Sequence, residues 1–272
     1  MKKIIFLVAT IFMFSCEEVV DVNLSTASTK LVIDATISWP KGTTGSNQTI
    51  KLSTTTGYYE TDIPKITGAT VIVTNSSNQV FTFLEEISTT GNSGKYTCNN
   101  FVPQLNEVYT LTVIYDGQTY KSTEKLLPSP NIINVEQRDD LGLNSNEIGI
   151  KVNFKDYENQ INYYSTKIET TIKPFPEYQT IPDEFTQGNI MSALYSNEKL
   201  KKNDVIKISL YANSKTFYNY MTILLINTNS NGPFQSPLAN IRGNIINQSS
   251  KSNYALGFFK LSEVSNLEYT VQ

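Results

Sequence analysis

Tyr109-Thr110-Leu111-Thr112-Val113-Ile114-Tyr115-Asp116-Gly117-Gln118-Thr119-Tyr120-Lys121-Ser122-Thr123-Glu124-Lys125-Leu126 decides the fold class. Two runs alternate apolar and polar residues, are rich in Thr, Tyr and β-branched side chains, and flank a two-residue Asp-Gly step. The tight turn that joins twisted strands needs positive φ at both central positions, which Gly adopts freely and Asp tolerates. A β-hairpin is therefore expected across residues 109–126.

The same rhythm extends toward the N-terminus. Residues 31–38 alternate, 49–53 place Ile50 and Leu52 on one face, 69–74 do the same with Val71 and Val73, and 80–84 with Phe81 and Phe83. Residues 94–98 follow a Gly-Asn-Ser-Gly turn. About seven or eight short strands with no helical period describe a small β-sandwich over residues 30–127, Ig-like in strand number and spacing. The stretch Gly68-Ala69-Thr70-Val71-Ile72-Val73, with Gly94-Lys95-Tyr96, Pro103 and Tyr109 to Val113, resembles transthyretin-like and carboxypeptidase-regulatory-like sandwiches. That resemblance implies shape rather than chemistry.

Leu127-Pro128-Ser129-Pro130 reads as a joint, because two prolines fix φ and remove backbone donors. A second β-rich domain is expected over residues 131–272. Strands are expected at 132–136, 147–156, 163–172, 205–212, 255–261 and 267–271. Residues 173–203 read as irregular, either a binding loop or a neutral insertion. One helix is expected near 215–227: Ser214 can cap it, and Phe217, Tyr220, Met221, Leu224 and Leu225 recur at steps of three and four as a core-facing stripe.

The chain has 272 residues, a net charge of -3 and no histidine. Catalytic Ser-His-Asp and Cys-His arrangements and His-ligated metal sites are thereby closed, and the charge offers nothing to nucleic acid. No phosphate loop, dinucleotide fingerprint or Gly-x-Ser-x-Gly turn is present. Asp139-Asp140-Leu141-Gly142-Leu143-Asn144 lacks the ligand spacing of a calcium loop. The adjacent pairs Glu85-Glu86 and Asp139-Asp140 do not converge as two carboxylates across a glycosidic bond would. No catalytic residue, metal ligand or cofactor is expected. Ser-Lys chemistry stays open, since both residues are plentiful.

The N-terminus reads as an export address. Met1-Lys2-Lys3 is basic, residues 4–14 are apolar or small, and Ser15-Cys16 follows. At about 1.5 Å per residue that run is too short for a hydrocarbon core of about 30 Å. Met13-Phe14-Ser15-Cys16 resembles a bacterial lipobox in the style of the Bacteroidota. The resemblance implies a signal peptide over 1–15, cleavage before Cys16, diacylglycerol on its thiol and a membrane-held tether over 16–29. Glu17, Glu18 and Asp21 resemble surface-export signals, without the Lys, Gln or Ser that often precedes such acids. The cell-surface face of the outer membrane is expected, with the periplasmic face as the alternative. Acylation of Cys16 leaves Cys98 alone, so no disulfide is expected within the mature chain, and Cys98 reads as buried.

Exposed rings supply candidate ligand contacts, because tyrosine has an apolar face and a polar tip. Tyr58, Tyr59 and Tyr163 are the candidates. Late in the chain, Ser236-Pro237-Leu238-Ala239-Asn240-Ile241-Arg242-Gly243-Asn244-Ile245 is followed by Tyr254-Ala255-Leu256-Gly257-Phe258-Phe259. With Leu31-Val32-Ile33-Asp34-Ala35 and the Tyr-Thr-Leu-Thr-Val strand, these segments resemble a Bacteroidota lipoprotein family catalogued as domain of unknown function 4249. The resemblance implies a TonB-dependent outer-membrane receptor as partner and assigns no catalytic residues. Physically, Gly243 and Gly257 permit close backbone approach, while Asn240 and Asn244 can bond backbone groups, making the motif a structural clamp first and a ligand site second. The leading expectation is a non-enzymatic accessory subunit of such a receptor that binds a glycan or peptide. A surface hydrolase of polymers and a structural or adhesion lipoprotein are the alternatives.

Overall fold

The computed structural model describes residues 28–57, 60–88, 91–140, 147–158, 160–183, 187–229 and 241–272. The chain is mainly β, with one helix among the described residues. The Asp116-Gly117 turn has φ of 49° and 67° and joins β6 (Val108–Tyr115) to β7 (Gln118–Lys125), with Tyr115 opposite Gln118. Alternation then places Tyr109, Leu111 and Val113 inward.

Five more strands complete the first unit: β1 (Leu31–Pro40), β2 (Gln48–Thr54), β3 (Thr70–Asn75), β4 (Val80–Ser88) and β5 (Gly91–Cys98). Strand β4 changes partner along its length, pairing with β3 through Val80 to Phe83 and with β5 from Leu84 onward. The sheet thereby folds over on itself. Ile33, Ile37, Ile50, Leu52 and Tyr96 meet Val71, Val73, Phe81, Leu111 and Val113 in one core. Cys98 is buried there, its thiol donating to Asn100 Oδ1 at 3.1 Å.

The second unit packs β8 (Ile132–Arg138), β9 (Gly149–Lys155) and β12 (Ile190–Ser196) as a three-stranded sheet. Its facing layer contains β10 (Tyr163–Thr170), β11 (Glu177–Pro182) and β13 (Val205–Asn213). Ile150, Val152, Ala193, Ile168, Ile206 and Ile208 fill the space between. Two of these strands correct the sequence reading: residues 173–203 contain β11 and β12. Alternation in Ile190-Met191-Ser192-Ala193-Leu194-Tyr195 is present but short, and the nearby prolines obscure it.

The larger correction concerns the C-terminus. Residues 255–261 and 267–271 are not separate strands but the two halves of β15 (Leu256–Thr270). Its first half runs parallel to β1 from Val32↔Leu256 to Pro40↔Val264 and contributes Phe259 and Leu261 to the first core. Its second half runs antiparallel to β13, from Tyr211↔Val264 to Val205↔Thr270. The polar middle, which reads as a break in sequence, is the seat of the joint. Glu263 Oε2 accepts the Ser129 amide at 3.1 Å and the Lys41 ammonium at 2.8 Å. Ser265 Oγ accepts the Ile132 amide at 3.2 Å, and Ser262 Oγ the Ala212 amide at 3.1 Å. Ser262, Glu263 and Ser265 persist as buried polar side chains because each is partnered.

The closing motif holds β15 in place. Strand β14 (Ile246–Asn247) pairs with β7, and just before it Asn244 behaves like one more strand residue. Its Nδ2 donates to Phe259 O at 2.8 Å while its Oδ1 accepts from Phe259 N at 2.9 Å. Gly257 has φ +94°, and a Cβ there would lie 2.0 Å from Ile33 O; one on Gly243 would lie 1.6 Å from Gly257 O. Three backbones thus meet where no side chain fits. Gly257→Ala is expected to lower unfolding free energy by about 3 kcal/mol or more in urea denaturation. Gly117→Ala, at φ +67° with open space beyond it, should cost only about 1 kcal/mol.

Candidate functional site

The helix α1 (Lys215–Asn229) starts where β13 ends. Ser214 caps it as expected, Oγ accepting the Phe217 amide at 3.2 Å and donating to Glu124 Oε1 at 3.3 Å. Asn244 Nδ2 donates to the same carboxylate oxygen at 3.0 Å. Burial nonetheless raises the Glu124 pKa above the usual carboxylate range, these hydrogen bonds working in the opposite direction. The helix start, the closing motif and β7 thus share one acid.

The helical stripe does not sink into a core. Phe217, Tyr220, Met221, Leu224 and Leu225 remain half-buried, because α1 lies on the outer face of the sheet beside β10, β11 and β13. Phe217 and Tyr220 reach the ring of Phe258 on β15, both with centroids at 5.0 Å. Beneath them opens a cavity of about 330 Å³. Its floor is the outward face of β1 and β15: Val32, Asp34 and Thr36 beside Phe258 and Lys260, in the register Asp34↔Phe258 and Thr36↔Lys260. Tyr211, Ser165 and Tyr178 form the far wall.

Lys260 is 6% exposed. Its Nζ stands 4.2 Å from the ring centroid of Tyr211 and 4.3 Å from that of Phe217. Aromatic faces attract a cation, but they replace only part of its hydration. Among the described residues the ammonium makes no hydrogen bond or ion pair. Burial accordingly pushes its pKa down to about 7. Burial also raises the phenols of Tyr178, Tyr211 and Tyr220, with the Asp34 charge adding to the effect at Tyr178 and Tyr220. Asp34 itself is exposed and accepts the Thr36 hydroxyl at 3.2 Å. The cavity thus combines aromatic walls, one buried amine and a carboxylate at its edge. Ser165 shares the cavity with Lys260, yet its hydroxyl donates to Asn213 Oδ1 at 3.4 Å rather than to the amine, so a serine primed by lysine is not assembled.

Of the residues expected to bind ligand, Tyr58, Tyr59 and Asn240 lie outside the described residues, as does Cys16. Tyr163 was expected exposed and is 7% exposed instead, its ring 4.8 Å from that of Tyr218 beneath α1. Asn244 has its amide engaged by Phe259 and Glu124, which makes it the clamp. Lys260 escaped the sequence reading although its signal was visible: a lone lysine inside Phe258-Phe259-Lys260-Leu261. Among the described residues no cluster of three or more Cys, Asp or Glu side chains is arranged to hold a metal ion.

The buried amine predicts a pH dependence. An unfolded lysine keeps its proton to about pH 10.4, while the folded one releases it near pH 7, so the unfolded state binds more protons in between and stability rises with pH. Between pH 7 and 9.5 the native protein should gain up to about 1 kcal/mol per pH unit relative to Lys260→Met, measured by denaturant unfolding of both at each pH.

The family described as domain of unknown function (DUF4249) matches residues 17–268. No curated protein matches the chain. Among solved structures, a cytokine receptor complex aligns over 89% of this chain and 96% of its own at 8% identity, with a TM-score of 0.27. A two fibronectin type-III domain segment from chicken tenascin aligns over 60% and 83% at 12% identity, TM-score 0.22. A DUF4785 family protein from Legionella pneumophila aligns over 68% and 50% at 11% identity, TM-score 0.25. Scores this low carry no structural argument. The family match, in contrast, runs through both sandwiches and into the last strand, and the chain belongs to the DUF4249 family.

Proposed function

We propose that this chain is a lipid-anchored outer-membrane lipoprotein of the Bacteroidota, a non-enzymatic binding and docking subunit of a TonB-dependent receptor, with the cavity under α1 as its ligand site. The observation that carries the reading is that cavity: aromatic rings from α1, β13 and β15 border a partly open space of about 330 Å³. Small-molecule sites are concave and mostly apolar, with a few placed polar groups. Lipid anchoring is supported by Met13-Phe14-Ser15-Cys16 and the short apolar run before it. Among the described residues no helix is long and apolar enough to cross a membrane. The receptor partner is supported by the family resemblance, whose members tend to be encoded beside such receptors.

Purification of the tagged chain from detergent-solubilised outer membrane is expected to recover a large β-barrel receptor, and protease treatment of intact cells to cleave the chain. Cys16→Ala should move it from the membrane to the soluble fraction. A chain that always purifies alone, or a Cys16→Ala variant that stays membrane-bound, would overturn the reading.

A further inference from the structure

The cavity contains a buried amine without an anionic partner among the described residues. An ammonium has three protons to donate. Lys260 Nζ faces the rings of Tyr211 and Phe217 on two sides, and no described residue accepts a hydrogen bond or completes an ion pair with it. Burying an unpaired cation costs several kcal/mol, and replacing it by an apolar side chain is often neutral or stabilising. Lysine at this position therefore makes physical sense when something anionic enters the cavity. Asp34 does not fill that role: it is exposed, takes the Thr36 hydroxyl, and makes no ion pair with Lys260.

We infer that the cavity takes a small monocarboxylic acid with an apolar or aromatic body, its carboxylate paired with the Lys260 ammonium and its body against Phe217, Phe258 and Tyr211. The inference rests on the cavity being the ligand site of the preceding section. One lysine in a cavity that the negative Asp34 also lines suits a single negative charge better than a phosphate dianion. The body is apolar because most of the lining is carbon, with Val32, Phe217, Met221 and Phe258 beside the tyrosine rings, while the Thr36 hydroxyl is taken by Asp34 and the Ser165 hydroxyl by Asn213. A sugar acid would bring a hydroxyl on nearly every carbon to mostly apolar walls whose further partners are the phenols of Tyr178, Tyr211 and Tyr220, and hydroxyls buried there without a partner are costly. A space of about 330 Å³ lies at the small end of ligand sites, the scale of one ring and its acid group.

Calorimetric titration of the mature chain tests this with N-acetylphenylalanine, 3-phenylpropionate, N-acetylphenylalaninamide and glucuronate. Both aromatic acids should bind roughly tenfold or more tightly than the neutral amide, the gain expected from a buried charge-assisted hydrogen bond. Glucuronate should bind more weakly than either. A preference for N-acetylphenylalanine identifies the end of a peptide as the source of the acid, and one for 3-phenylpropionate a free aryl acid. Lys260→Met, which keeps the length of the stem, should fold and bring acid and amide to equal affinity; Phe217→Ala should weaken both together and leave their ratio unchanged. An amide that binds as tightly as the acids, or a ratio that survives Lys260→Met, overturns the carboxylate assignment and leaves the ligand cavity standing. Tighter binding of glucuronate overturns the apolar body. Failure of all four probes at millimolar concentration overturns the cavity as a ligand site as well.

Discussion

The parallel pairing of the last strand with the first is the constraint on which the rest of the molecule depends. Parallel neighbours need a crossover connection, and here everything from β2 to the closing motif lies between β1 and β15 in sequence. By running past the end of β1 and continuing against β13, β15 makes one sheet out of two sandwiches. The order β11-β10-β13-β15-β1-β2 is the backbone of the chain, and each hydrophobic core is a layer laid against part of it. The requirement propagates into side-chain choice. Gly243 and Gly257 are small because three backbones converge there, and Ser262, Glu263 and Ser265 are polar because the joint needs acceptors for its amides.

The two faces of β15 serve different ends. Phe259 and Leu261 point into the first core and are fully committed to packing. Phe258 and Lys260 point the other way, onto a face that α1 roofs without sealing. A helix whose apolar stripe is only half-buried contributes less than one set into a core, and a buried lysine subtracts further. Stability is thus given up at one place, and it is the place where a cavity exists. Local conflicts of this kind mark functional regions when the rest of a structure is self-consistent.

Much of the first sandwich was legible because its strands are half-buried: alternation survives in Ile50 and Leu52, Val71 and Val73, Phe81 and Phe83, and the Asp-Gly turn fixes one register outright. Legibility fails where burial is two-sided or where polarity serves the interior. In β15 the run Ser262-Glu263-Val264-Ser265-Asn266 looks like a linker, although residues 262–265 are buried and bonded across strands. Tyr163 looked like a surface ring because nothing local says that α1 will return over it. The helix itself was readable from Ser214 and its three-and-four spacing, but its packing partner was not, since Phe258 and Lys260 lie on a strand more than thirty residues further along. The family resemblance was carried by the closing motif and by the strands at 31–35 and 109–113, and it gave no role to Asp34 or Phe258, which lie in those segments and line the cavity.

The direction of β1 has a mechanical meaning. A pull applied to the chain ahead of Leu31 acts along β1 and is resisted by β15 on one side and β2 on the other. Nine residue pairs with β15 lie along the line of force, so they are loaded in shear and must yield together rather than open one after another from an end. Asn244 and the glycine crossing secure the far strand to the body at the same level. A tether leading into β1 would therefore enter the molecule at a point built to bear load, and a body tugged by a moving partner would hold its shape around the cavity while the strain is carried in the seam.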